Sequence, residues 1–155
     1  MVFRFFLIAN PAFSRKKAWP QPQDTNRVAS SQQRSGDLGA LSWAPLPGTA
    51  KEGKAIAKLT NANLLLQEKA TALAVQEQEA PKVLHLASHA YFLPDQEKGE
   101  NLLLRSGIVL AGANQPDANS KDDGYLTALE VAKLDWQGTE MVVVSGCESG
   151  KGDIQ

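Results

Sequence analysis

Residues 139–145 read Thr-Glu-Met-Val-Val-Val-Ser. A row of valines cannot alternate between core and solvent as a half-buried strand does; it belongs to a strand covered on both faces, the kind found in parallel sheets packed under crossover helices. Three further segments fit the same layout. Residues 2–9 form a short run rich in Phe and Ile that stops at the turn signal Asn10-Pro11, and residues 63–66 and 82–87 supply two more strands. Helical stretches fall between them, over 49–59, 71–78 and from Leu126 to about Leu134. Strands alternating with helices predict an α/β chain with a mainly parallel sheet, right-handed crossovers and helices on both faces. At 155 residues the chain has the length of one domain.

The local signals set the expected boundaries. Thr49 stands three residues before Glu52, and Thr127 three before Glu130, the reciprocal capping pair that satisfies orphan amides at a helix start. Leu126, Leu129, Val131 and Leu134 share roughly one helical face, and Gly138 ends that helix. Pro81 breaks the preceding one. Residues 102–105 and 108–110 flank Ser106-Gly107, the spacing of a small β-hairpin insertion. Residues 11–45 are polar and irregular and read as a long flexible loop, with the basic patch Arg15-Lys16-Lys17 as a solvated charge run. Nothing after the last strand offers it cover, so residues 1–155 read as a single partial domain, incomplete on its C-terminal side.

Charge and cysteine usage narrow the partners. Lys and Arg number 16 against 17 Asp and Glu, so no overall field draws the chain to nucleic acid or an anionic membrane. No apolar stretch approaches the roughly 20 residues that span a bilayer. Cys147, the single cysteine, forms no internal disulfide, which points to a reducing compartment and a cytoplasmic location. The expected partner is a protein or peptide, without nucleic acid or membrane.

Chemistry in open α/β sheets gathers beyond the carboxyl ends of the strands. Residues 82–87 run into Ser88-His89-Ala90, and residues 139–145 run into Gly146-Cys147-Glu148-Ser149-Gly150. If the two strands are neighbours, an imidazole and a thiol emerge at one rim. A thiol is mostly protonated at neutral pH, so a base that takes its proton creates the nucleophile. His89 and Cys147 are the candidate catalytic dyad. Backbone amides of Ala90 and Cys147 are candidate donors to an oxyanion, and Gly146 supports them by letting the chain turn tightly. His85 alternates with Val83 inside its strand and reads as a core or supporting histidine, not the base. The bland alternative is an inert cysteine in a core.

Other motifs fail on spacing. The stretch from Gly146 to Gly152 has three residues where a phosphate loop needs four between its glycines, and no Ser or Thr after Lys151. A hydrolase elbow would put its nucleophile at Glu148. The acidic segment of Asp117, Asn119, Asp122 and Asp123 carries Lys121 where a calcium loop needs an acceptor. His85, His89 and one cysteine lack the ligand set of structural zinc. No metal and no cofactor are expected.

Five segments in order then carry a family resemblance: Leu46-Pro47-Gly48-Thr49; Val83-Leu84-His85-Leu86-Ala87-Ser88-His89; Leu103-Leu104-Arg105-Ser106-Gly107; Gly124-Tyr125-Leu126-Thr127-Ala128-Leu129-Glu130-Val131-Ala132; and Val142-Val143-Val144-Ser145-Gly146-Cys147-Glu148-Ser149-Gly150. From residue 46 to 155 the chain resembles the CHAT family, caspase-like domains often attached to tetratricopeptide repeats and related to caspases and separase. The resemblance implies a caspase-like fold with its main strands, counted in chain order, arranged 2-1-3-4. It implies a cysteine endopeptidase whose His-Cys dyad falls on His89 and Cys147, and a tetratricopeptide-repeat region or partner outside these residues. Two positions depart from the family pattern: Ala90 stands where the family usually has glycine, and Gly146 where it usually has alanine. The competing expectation is a non-catalytic protein-interaction module on the same fold.

Overall fold

The computed structural model describes residues 5–14, 38, 41–93, 101–115 and 122–146. In chain order the elements are β1 (Phe5–Pro11), α1 (Pro47–Thr60), β2 (Asn63–Gln67), α2 (Ala72–Gln76), β3 (Val83–Ala87), β4 (Ala90–Phe92), a 3-10 turn (Leu102–Leu104), β5 (Ser106–Val109), β6 (Tyr125–Thr127), α3 (Ala128–Ala132) and β7 (Met141–Ser145). Four strands form a parallel sheet in the order β2-β1-β3-β7, the arrangement expected from the resemblance. Its centre is the most apolar run of the sheet: Phe6, Leu7, Ile8 and Ala9 of β1 are buried, with β2 on one side and β3 on the other.

Side chains alternate across this sheet and so split its contacts between two layers. Phe6 and Ile8 of β1 join Leu84 and Leu86 of β3 in a core with Ala70, Ala72 and Val75 near α2 and with Leu110 and Leu126 of the antiparallel layer. On the other face lies α1, whose Gly53 is packed so closely that a Cβ there would come within 2.9 Å of Ala9 Cβ. With no side chain at 53, the helix lies close over Ala9 of β1 and Leu64 of β2.

Both capping signals are occupied, but only one as the letters predict. At α3, Thr127 N donates to Glu130 Oε2 at 2.8 Å and Glu130 N donates to Thr127 Oγ1 at 3.2 Å, the full reciprocal box. At α1 the helix begins earlier, at Pro47, and Leu46 is its cap without a side-chain bond. Thr49 Oγ1 instead donates to Leu46 O and accepts from Asn10 N, tying the helix start to the end of β1. Glu52 turns to the sheet.

Two other expectations are corrected. Ser106-Gly107 is the start of β5, not a hairpin turn: β5 is the middle strand of an antiparallel sheet β4-β5-β6, and residues 102–104 are a 3-10 turn capped by Asn101. Gly107 is there because β6 passes too close for a side chain, its Leu126 carbonyl lying where a Cβ would be. Of the segment 11–45 the structure describes residues 11–14, 38 and 41–45, and there Phe13, Leu38 and Trp43 are buried with Tyr91, Leu93, Val109, Ala113 and Tyr125. Burying those three side chains outweighs the polar composition around them. The patch Arg15-Lys16-Lys17 lies outside the described residues. Lastly, β7 is not covered on both faces, since Val142 and Val144 are 46% and 54% exposed. They border an apolar groove of about 450 Å³ lined by Leu84, Leu86, Ile108 and Trp136 among others. Among the described residues no helix is long and apolar enough to cross a membrane.

Candidate functional site

β3 and β7 are hydrogen-bonded neighbours, in register from Val83 opposite Met141 to Ala87 opposite Ser145. The two strand ends that carry the sequence-derived candidates therefore leave the sheet side by side. Beyond the last pair, Ser88 N still donates to Ser145 O at 3.1 Å. Gly146 then lies so tightly against the following turn that a Cβ on it would collide with Ser88 O and sit 3.8 Å from Ala90 N. The position demands glycine because it adjoins backbone, which cannot yield as the tip of a side chain can. Cys147 itself, the next residue, lies outside the described residues.

His89 is held from the opposite side. Its Nε2 lies 2.9 Å from the carbonyl oxygen of Ala44, and its ring packs against Phe13 and Trp43 with centroid separations of 5.1 and 5.4 Å. A carbonyl only accepts, so Nε2 bears a hydrogen and, in the neutral ring, Nδ1 bears the lone pair. The residue is 5% exposed, enclosed by its aromatic walls. Trp43 is fixed in turn: its Nε1–H donates to Tyr125 Oη at 3.0 Å, and its backbone N donates to Asn114 Oδ1 at 2.8 Å. Burial pushes the Tyr125 phenol above its ordinary pKa; the Trp43 hydrogen bond pulls it down, and the nearby Asp123 carboxylate raises it.

Ala90 opens β4, and the register of that strand decides where its amide points. His89 O accepts from Val109 N and Leu93 N donates to Arg105 O, so the odd-numbered residues bond to β5. The Ala90 N–H therefore faces away from β5, toward the side where Gly146 lies. Ser88 makes its own anchor, its hydroxyl donating to Val109 O.

His85 is where its strand alternation put it, buried on the α1 face, and it has a partner that sequence reasoning missed. Glu52 Oε1 lies 2.9 Å from His85 Nε2, and Glu52 Oε2 lies 3.4 Å from Ser145 Oγ. A histidine inside a strand calls for a polar partner when buried, and the carboxylate in the second turn of α1 was the available signal. The roles of Phe13, Trp43 and the Ala44 carbonyl were also missed. A tryptophan and a phenylalanine within a polar stretch were the hint of a packed segment; a backbone carbonyl leaves no letter to read. Arg105, the arginine nearest the motifs, is buried at 4% exposure in the antiparallel layer.

The parallel sheet in the order β2-β1-β3-β7, with the strands that precede His89 and Cys147 adjacent at its centre and edge, is the α/β arrangement that the resemblance implies. The profile of the CHAT domain matches residues 4–155, and the chain belongs to that family of caspase-like, peptidase-related domains. Comparison with curated proteins and with solved structures gives no match.

Proposed function

We propose that this domain is a cysteine endopeptidase acting on a protein or peptide substrate through His89 and Cys147. The observation that supports it most directly is the contact of Gly146 with the Ser88–Ala90 backbone, which starts the cysteine's loop beside the histidine's. Family membership supports the same reading.

The chemistry follows from the tautomer. Nδ1 of His89, the lone-pair nitrogen, takes the thiol proton of Cys147, and the thiolate attacks the scissile carbonyl carbon. The carbonyl π pair moves onto oxygen, and the amides of Ala90 and Cys147 donate to the resulting oxyanion. As the C–N bond breaks, the imidazolium returns its proton to the leaving amine, leaving a thioester. Water, deprotonated by the same imidazole, hydrolyses it and restores the thiol. The Ala44 carbonyl holds the ring orientation throughout and stabilises the imidazolium by accepting from Nε2. No metal or cofactor enters these steps.

The test is covalent labelling of the whole chain by an electrophilic peptide. Labelling is expected to vanish in Cys147→Ala, to fall at least a hundredfold in His89→Ala, and to persist in Leu59→Ser, a change at an 85% exposed site on α1. Equal labelling of Cys147→Ala and wild type would refute the proposal. One observation favours the second reading, a non-catalytic interaction module: the exposed valines of β7 beside the apolar groove. A folded wild type that takes no label would select it.

A further inference from the structure

α1 reaches the sheet through one charged side chain, and that side chain spans two strands. Glu52 accepts from His85 of β3 with one oxygen and from Ser145 of β7 with the other, at 2.9 and 3.4 Å. His85 pairs with Val143, so Ser145 is its neighbour one step further along the same face of β7. The carboxylate thus crosses diagonally from the body of β3 to the last residue of β7.

His85 is the buried member of the three, 8% exposed, and a buried imidazole needs a polar partner; Glu52, whose side chain is 36% exposed, supplies one and reaches on to Ser145. What they hold is informative. Ser145 is tied twice, by its carbonyl to Ser88 N and by its hydroxyl to Glu52. Ser88 directly precedes His89, and Ser145 directly precedes Gly146-Cys147. The helix that carries Glu52 also starts just after Ala44, whose carbonyl orients His89, and is pinned to β1 by Thr49. One rigid element therefore connects the support of the imidazole to the end of the cysteine strand.

We propose that Glu52 is a positioning residue, which with His85 and Ser145 sets the separation of the two strand ends that carry the dyad. This rests on the peptidase reading and adds to it a side chain that touches neither substrate nor reacting atoms. Glu52→Gln keeps size but loses charge and one acceptor; Ser145→Ala removes only the hydroxyl; Ser145→Thr restores it.

The whole chain is examined in each variant by amide hydrogen exchange over residues 143–147, by the rate of labelling with an electrophilic peptide, and by thermal midpoint. Glu52→Gln and Ser145→Ala are expected to raise exchange at the end of β7 and to slow labelling, each by about tenfold or more, the factor that goes with a lost hydrogen bond to a charged group. Ser145→Thr is expected to recover both, and the midpoint of Ser145→Ala to stay within about 3 °C of wild type. Labelling and exchange that match wild type in Glu52→Gln and Ser145→Ala overturn the positioning role and leave the peptidase reading standing. Exchange that responds while wild-type Cys147 takes no label overturns the peptidase reading and, with it, any catalytic purpose for the tie.

Discussion

Replacing Gly146 by alanine is the smallest change that tests whether β3 and β7 end as closely as described. The new methyl would overlap the carbonyl oxygen of Ser88 and approach its carbon to 3.4 Å. Neither atom can move without its strand, so the two strand ends must part by about 1 Å to regain ordinary van der Waals separation. The Ser88 N to Ser145 O bond, 3.1 Å in the native chain, then opens beyond hydrogen-bonding range. Losing that bond costs about 1 kcal/mol, and overpacking adds about 1–3 kcal/mol. For a chain of this length the sum, about 2–4 kcal/mol, lowers the melting temperature by about 5–15 °C. Circular dichroism melts check the stability, and alkylation of Cys147 checks the site, with Gly48→Ala as control because a Cβ at that position meets nothing within 4 Å. A Gly146→Ala melt within about 2 °C of wild type would refute the close approach. The CHAT resemblance puts alanine at this position in most of the family, so the expectation is specific: here the family's usual residue is the damaging one.

Trp43→Ala, which empties a buried site between His89 and Tyr125, is expected to cost about 3–5 kcal/mol in urea unfolding, whereas Trp43→Phe, losing mainly the hydrogen bond to Tyr125, costs about 1–2 kcal/mol. Thr127→Ala removes the cap of α3 and the partner of Glu130 and is expected to cost about 1–2 kcal/mol by the same measurement; a loss under about 0.3 kcal/mol would contradict the reciprocal box. Because the folded Tyr125 pKa is raised, the unfolded chain releases that proton first as the solution becomes alkaline. Its contribution to stability is fully present below the unfolded value of 10.0 and is lost as pH rises from there through the folded pKa. Unfolding titrated across that range should show a steeper decline in wild type than in Tyr125→Phe, and identical slopes would remove the phenol from the account.

Legibility in the sequence follows the range of the interactions. Strand identity and the parallel arrangement were readable because valine runs and helix periods are properties of adjacent residues. Thr127 and Glu130 behave as their letters suggest, since both halves of that box lie within one turn and nothing else competes for them. Thr49 and Glu52 have the same spacing and a different fate. Thr49 serves Asn10, 39 residues earlier, and Glu52 serves His85, 33 residues later. A local motif predicts only what local partners would do; here two sheet residues offer better ones. Ser106-Gly107 failed in the same way, because the closeness of β6, which makes glycine necessary at 107, is set by chain 18 residues away at Tyr125 and beyond.

The candidate base shows the limit of reading by side chains. His89 could be picked from its place after a strand, but its tautomer is set by Ala44 O, 45 residues earlier, and its walls by Phe13 and Trp43. Any residue at 44 would supply a carbonyl, so neither the letter alanine nor an alanine scan reveals the contact. Its position is what matters, and that depends on Trp43, whose backbone N and ring are both anchored, and on Leu46, whose N donates to Asn10 Oδ1 at 3.2 Å. Asn10 in turn has a φ of +43°, a conformation that asparagine tolerates better than most side chains. The turn ending β1 thereby fixes the segment that orients the histidine after β3, and substitutions at Asn10 should act on the imidazole without touching it.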